Sequence, residues 1–246
     1  QRAAERIVRT TRFYEEAFGA RRHPRDPVWI VDFPTSWRPA QPAAEMLFLS
    51  SFPQGVLINL EQVSLDRLRT ATTGFNPSAS LDLVLAELWF THLAVPHPDV
   101  GVLDVALSAY AQRLADEAQR PPADRREVLA SEITRFDALL GGVKDTPILS
   151  LKPPMSGVQL RPARQTAVLF LFAIEEQVGR KKLLAGVKRM IQGMRGSTYD
   201  WNALRSAVEA ESGKDLGALF RAWLNQPGIP ADFRARYRER KSEDRN

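Results

Sequence analysis

The chain has 246 residues, of which 44% are hydrophobic and 26% are charged, a composition typical of a folded globular protein. It contains no Cys, which excludes disulfide bonds, thiolate zinc sites and a Cys nucleophile. Its three His residues leave few routes to a transition-metal site or a His general base. The net charge is +5, and most of the excess is scattered along the chain.

Residues 2 to 18 place apolar side chains at helical spacing and end at a glycine, which predicts a first helix. Short apolar runs at 27–33, 44–50 and 56–60 then predict two or three strands. From Ser64 the apolar spacing is helical almost to the end, and Pro and Gly residues separate the segments. The later predicted helices span residues 64–72, 78–93, 101–118, 123–140, 163–177, 180–194, 200–211 and 215–225.

This order of elements predicts an α+β chain that is predominantly helical. We expect a small N-terminal α/β part over residues 1–75, a larger helical part over 76–230, and a basic tail over 231–246 that is a linker or a helical extension outside the core. The segment from Gly141 to Arg161 shows no clear element, and loops of that length often line a groove.

The longest apolar run, Ala167 to Ile174, is far shorter than the ~18 residues that a membrane span needs, so no span is expected. The chain begins at Gln1 without a basic and apolar leader, which suggests either a processed product or a piece of a longer protein. The absence of Cys is compatible with a bacterial cytoplasmic or an extracytoplasmic setting.

Two basic segments stand out, one with Arg21, Arg22 and Arg25 and one from Arg234 to Lys241. A solvated surface is the simpler interpretation, because the second segment also carries acidic residues. Binding of a polyanion through this tail stays open as an alternative, but no nucleic-acid partner is favoured.

The C-terminal segment 197–230 contains Ser-Gly-x-x-Leu followed by Phe-x-x-Trp-Leu-x-Gln-x-Gly-x-Pro. Its members are Ser212, Gly213, Leu216, Phe220, Trp223, Leu224, Gln226, Gly228 and Pro230. Gly213 is predicted to end one helix in a left-handed turn, and the next helix to pack its apolar residues inward. This pattern resembles the end of the catalytic domain in zinc aminopeptidases of the alanyl aminopeptidase family.

The resemblance extends upstream in the same order. Trp89-Phe90 is similar to the aromatic pair that follows the family's zinc motif, and segments 103–110 and 164–184 are similar to its later helices. Segment 43–46 occupies the place of a family strand that binds the peptide amino end. The resemblance implies a thermolysin-like zinc-peptidase (gluzincin) fold, in which Glu45 is the one candidate substrate-binding residue that matches.

The family binds zinc through H-E-x-x-H on one helix and a Glu about 18 residues later, and this sequence has no such motif. With Trp89 and Phe90 as anchors, other residues stand in the catalytic positions. The two His positions fall on Leu83 and Glu87, the general-base Glu on Val84, the third ligand on Val105 and the transition-state Tyr on Ala163. We expect Leu83 and Val105 to be mostly buried, since apolar packing needs no metal.

No alternative register or ligand set restores a metal site. A one-residue shift puts Asp82 and Ala86 in the His positions, which still lacks the family's ligands. Glu87 and His92 lie five positions apart on a predicted helix, so they project about 140° apart and share no face. His97 follows in a loop. We therefore expect no zinc and no other cofactor.

The sequence thus predicts a peptidase-like domain that has lost its zinc and its catalytic residues. Its expected role is that of a non-catalytic structural module of a larger protein, or of a module that binds a peptide or protein partner in the vestigial groove. The alternative is an active metallopeptidase or hydrolase that uses a site the sequence does not display.

Overall fold

The computed structural model describes residues 2–21, 29–32, 49–52, 55–58, 77–96, 102–118, 124–141, 145–151 and 157–237. This part of the chain is mostly helical. Its helices are α1 (Arg2–Phe18), α2 (Pro77–Phe90), α3 (Leu103–Ala118), α4 (Arg125–Leu139), α5 (Gly157–Val178), α6 (Arg180–Gly193), α7 (Trp201–Ser212), α8 (Gly217–Leu224) and α9 (Ala231–Tyr237). Its strands are β1 (Trp29–Asp32), β2 (Leu49–Phe52), β3 (Gly55–Ile58), β4 (Val95–Pro96) and β5 (Thr198–Tyr199), and a short 3-10 turn covers Ile148–Ser150.

Most helices lie where the apolar spacing predicts them, and two segments differ. Helix α5 begins at Gly157, inside the segment expected to be a loop, and continues through Pro162. An interior proline removes one backbone hydrogen bond and crowds the carbonyl four residues earlier, at a cost of about 3 kcal/mol, which the buried side chains of this 22-residue helix offset. Helix α9 lies in the segment expected to be a linker or a helical extension outside the core, and it differs from that expectation because its Phe233 is buried. The predicted helix 64–72 lies outside the described residues.

The chain forms two compact units. The first comprises Gln1–Pro96, Ser108–Gln119 and Val187–Tyr199, and the second comprises His97–Leu107, Arg120–Gly186 and Asp200–Asn246. The boundary that the sequence predicted near residue 75 falls outside the described residues.

In the first unit, helix α2 contacts both a small sheet and helix α1. The sheet has the strand order β1-β3-β2, with β1 parallel and β2 antiparallel to β3. Strands β4 and β5 form a second, two-residue parallel pair that aligns Val95 with Thr198. Helix α2, which carries the residues aligned with the zinc motif, is therefore packed on at least two elements.

Aromatic side chains join α1 to α2. The ring centroids of Tyr14 and Trp89 lie 5.5 Å apart, and those of Phe18 and Phe90 lie 5.0 Å apart, both in edge-to-face geometry. The indole N–H of Trp89 donates to the backbone carbonyl of Gly19 at 2.7 Å. All four rings are fully buried, so the aromatic pair that anchors the family resemblance belongs to the core of this unit.

In the second unit, the C-terminal pattern folds as the sequence predicts. Gly213 ends α7 with φ of 72°, and its N–H donates to the carbonyl of Glu209 at 2.8 Å. The apolar members of the pattern are all buried, namely Leu216, Phe220, Trp223 and Leu224. The ring of Phe170 on α5 stacks on Trp223 with centroids 5.6 Å apart. This part of the resemblance therefore reflects one packed helical core.

Candidate functional site

Helix α2 carries the positions aligned with the family's zinc motif. Leu83 and Glu87, spaced four residues apart, are both half-buried on one side of this helix. Val84 is buried, with 4% of its surface exposed. Asp82, which precedes Leu83, is fully buried.

The other aligned positions lie on two further helices. Val105 is half-buried in the first turn of α3. Ala163 is buried on α5, with 4% of its surface exposed. Glu45 lies outside the described residues, so its role as a substrate-binding residue stays a prediction.

Asp82 is the most notable polar residue of α2, because its side chain is fully buried. Its Oδ1 accepts hydrogen bonds from Arg6 Nε at 3.1 Å and from Thr10 Oγ1 at 3.0 Å. Its Oδ2 forms an ion pair with the second guanidinium nitrogen of Arg6. Both carboxylate oxygens are therefore bound to groups of helix α1.

Two more residues complete what we call the Asp82 cluster, which consists of Asp82, Arg6, Thr10, Tyr14 and Asp116. The hydroxyl of Tyr14 donates to the backbone carbonyl of Asp82 at 2.9 Å. Asp116, on α3, lies 3.4 Å from the guanidinium of Arg6. The cluster thus ties three helices of the first unit together through polar contacts.

Burial controls the electrostatics of the cluster. It raises the pKa of Asp82 above the ordinary value, although the hydrogen bond and charge of Arg6 oppose this shift. Burial lowers the pKa of Arg6, but the hydrogen bond and charge of Asp82 outweigh it, so the pKa is raised. Burial also raises the pKa of Tyr14 well above its usual range. Arg6 therefore stays charged, and Tyr14 stays neutral at physiological pH.

The buried carboxylates of the second unit are paired as well. Glu175 accepts from Arg125 at 2.6 Å and from Arg180 at 2.8 Å. Glu132 accepts from the side-chain amide of Gln165 at 2.6 Å. In the part of the chain that the structure describes, each fully buried acid is thus held by a donor from a packed helix, as structural carboxylates are.

The geometry of these acids offers little to a metal ion. A ligand carboxylate needs lone pairs directed at the metal, and those of Asp82 are taken by Arg6 and Thr10. Among the described residues, no group of three or more His, Cys, Asp or Glu side chains could hold a metal ion. Glu87 and His92 are half-buried near the end of α2, where the backbone N–H of His92 donates to the Glu87 carbonyl at 3.2 Å.

Sequence reasoning missed the partners of Asp82 on α1. Arg6, Thr10 and Tyr14 are spaced four residues apart and therefore share a helix face. That face adjoins buried Ile7 and Phe18. A polar residue on the apolar side of an amphipathic helix indicates a buried partner, and this signal was available in the sequence. The identity of that partner, 76 positions away, was not.

Comparison with solved structures gives several likenesses to M1 zinc metallopeptidases of Deinococcus radiodurans. A mutant of that enzyme matches with a TM-score of 0.66 and 16% identity, covering 92% of this chain and 45% of the other. The same mutant bound to a Tyr-Ser-Ala substrate matches with a TM-score of 0.65 and 16% identity, over 91% and 44% of the two chains. The unmutated enzyme matches with a TM-score of 0.63 and 16% identity, covering 92% of this chain and 44% of the enzyme.

These likenesses show the fold of an M1 zinc metallopeptidase. The predicted resemblance to a zinc peptidase is therefore confirmed at the level of the fold. The chain spans less than half the length of the solved structures it resembles. No family model and no curated protein matches the sequence. Within the described residues, no helix is long and apolar enough to cross a membrane.

Proposed function

We propose that this chain is a peptidase-fold domain without zinc and without peptidase activity, which acts as a structural or a peptide- or protein-binding module of a larger protein. One observation carries the proposal: Asp82, the buried acid of the helix aligned with the zinc motif, is paired with Arg6. Residues Leu83, Val84 and Glu87 beside it supply one carboxylate and no imidazole. On the same grounds we expect no zinc or other cofactor in the domain.

Energetics support a fold that persists without a metal. Inward carboxylates and imidazoles that lack a cation would each carry a desolvation cost of several kcal/mol. Leu83, Val84 and Val105 replace such groups by apolar ones, and Arg6 compensates the charge of Asp82. The packing of α2 on α1, with Arg6 bound to Asp82, needs no metal.

Zinc binding tests this proposal. The purified chain is dialysed against buffered zinc, and bound metal is measured by atomic absorption. We expect no stoichiometric zinc. About one zinc per chain, held against a weak chelator, would overturn the proposal and favour the alternative of an active metallopeptidase with an unrecognised site.

The binding role assigns one residue, Glu45, to the amino end of a peptide. A short peptide with a free amino terminus should then bind more tightly than its acetylated form, because a carboxylate pairs with the ammonium group. Glu45→Gln should remove this difference and leave binding of the acetylated peptide unchanged. Equal affinities of the two peptides for the unmodified chain would exclude Glu45 from this role and leave the structural role.

A further inference from the structure

Helix α6 has an exposed surface of a single charge sign. Between Gln177 and Tyr199 the sequence has six Lys and Arg residues and no Asp or Glu. They are Arg180, Lys181, Lys182, Lys188, Arg189 and Arg195, and all six are exposed. This stretch carries a net charge of +6, against +5 for the whole chain, so the positive excess is concentrated here and not scattered along the chain as the sequence first indicated.

The helix arranges four of these cations in two rows. Lys181 and Lys188 are seven residues apart, so they lie within about 20° of one line and about 10 Å apart along the axis. Lys182 and Arg189 form an equivalent row about 100° further round. We call these four residues the basic face of α6. The opposite side of the helix is apolar and buried, and consists of Leu183, Val187, Met190 and Ile191.

The end of α6 is also joined to a second basic segment. The guanidinium of Arg195 donates to the backbone carbonyls of Ala20 at 3.0 Å and of Arg21 at 2.7 Å. The side-chain amide of Gln192 donates to the Ala20 carbonyl at 3.1 Å. Arg22 and Arg25 follow in the sequence, outside the described residues. The end of α6 is thus tied to residues 20–21, where the buried side chain of Arg21 is itself paired with Glu15 at 3.2 Å.

We propose that the basic face of α6 binds the anionic surface of a phospholipid membrane. Four or more Lys and Arg residues on one side of an amphipathic helix are a common arrangement for anionic lipid head groups, and each cation near such a surface adds to the attraction. Lysine side chains on long flexible stems can reach a planar surface from both rows together. The ligands are the lipid phosphates, and the contact is peripheral.

The residue types of the basic face favour a membrane surface over a nucleic acid. A helix that reads a duplex contacts base edges as well as phosphates, and the exposed positions of α6 carry no Asn or Gln to read adenine. The apolar side of α6 is buried in the protein, so only the outer side is accessible. Helix α6 also has no aromatic residue on which the bases of a single strand could stack.

Vesicle sedimentation tests the proposal. The chain is mixed with vesicles of phosphatidylcholine containing about 30% phosphatidylglycerol, at low salt and at high salt. We expect binding at low salt that weakens strongly at high salt, and no binding to pure phosphatidylcholine. A variant with Lys181→Gln, Lys182→Gln, Lys188→Gln and Arg189→Gln should lose affinity for the anionic vesicles by a factor of about ten or more.

A matched control separates the basic face from the total charge. The variant with Arg9→Gln, Arg12→Gln, Arg126→Gln and Arg161→Gln loses the same four charges at exposed positions of other helices. It should keep most of the binding, as should a variant of the basic face with Lys181→Arg, Lys182→Arg and Lys188→Arg. Thermal unfolding of each variant confirms that it is folded.

Three results would overturn the proposal. The first is an equal loss of vesicle binding in the two Gln variants, which would indicate an effect of net charge alone. The second is no binding of the unmodified chain to the anionic vesicles. The third is tighter binding to a 25-base-pair DNA duplex than to the vesicles at equal phosphate concentration, which would identify a nucleic acid as the partner.

Discussion

Arg6 Nε lies 3.1 Å from Asp82 Oδ1, and this contact joins α1 to α2 across 76 positions of sequence. The side chain of Asp82 is fully buried, and that of Arg6 is 17% exposed. The pair therefore lies at the edge of the core, where an unpaired carboxylate would be poorly solvated. Several consequences of this arrangement can be measured.

Removal of the cation should destabilise the fold. Arg6→Met keeps the length of the side chain but leaves the carboxylate of Asp82 buried without its partner. We expect a loss of about 3 kcal/mol in the free energy of unfolding at neutral pH, measured by urea denaturation. Arg9→Met, at an exposed position of the same helix, is the control and should change stability by less than about 0.5 kcal/mol.

A double variant refines this test. Arg6→Met with Asp82→Leu removes both charges and should regain most of the lost stability, since a matched apolar pair often replaces a buried ion pair at little cost. Equal stabilities of Arg6→Met and Arg9→Met would show that the ion pair has no structural role.

The pH dependence of stability should report Asp82 directly. Burial raises the pKa of Asp82, so the folded state holds this proton more tightly than the unfolded chain. Its contribution to stability is thus fully present below the unfolded-state pKa and is lost as the pH rises through the folded-state pKa. We expect the free energy of unfolding of the unmodified chain, relative to Asp82→Asn, to decrease as the pH rises above about 4. An increase over the same range would show that Arg6 lowers this pKa below the ordinary value.

Apolar spacing predicted most helices because each buries one side against a core, as α7 and α8 do through Trp201, Phe220 and Trp223. The start of α5 could not be predicted, since Pro162 usually marks a helix end. The burial of Phe233 could not be predicted, because it depends on Trp223, whose ring centroid is 5.0 Å away.

The polar contacts were harder to predict than the helices. The positions aligned with the zinc motif follow from local sequence and from Trp89-Phe90. The Arg6–Asp82 pair depends on tertiary packing, which no local pattern encodes. The basic face of α6 is not evident from the linear sequence, because apolar residues separate Lys182 from Lys188. Only the helical periodicity brings Lys181 and Lys188 into one row.

A close approach between α6 and α7 gives a second stability test. A Cβ added at Gly186 would lie 2.7 Å from the Cα of Val208. Alanine normally stabilises a helix relative to glycine by up to about 1 kcal/mol. Here we expect Gly186→Ala to destabilise the protein by about 1–3 kcal/mol, because backbone atoms must shift.

Gly193, at the end of the same helix, is the matched control. A Cβ there would have no atom within 4 Å among its described surroundings, so Gly193→Ala should leave the melting temperature unchanged or raise it. A melting temperature of Gly186→Ala equal to that of Gly193→Ala would contradict the close packing of α6 on α7.

Restoring the family's donors should restore metal binding if the backbone keeps the family's geometry. The variant with Leu83→His, Val84→Glu, Glu87→His and Val105→Glu should bind about one zinc per chain in a calorimetric titration. The variant with Leu83→His alone should bind none. A folded fourfold variant without zinc affinity would mean that the alignment of these positions is wrong.

The central claim, that the domain has no peptidase activity, is tested most directly by hydrolysis of aminoacyl arylamides. The purified chain is assayed with alanyl and leucyl arylamides in the presence of added zinc, beside Glu87→Gln prepared in the same way. We predict that the rate of the unmodified chain equals that of buffer alone. Turnover that saturates with substrate and is lost on chelation or in Glu87→Gln would contradict the claim.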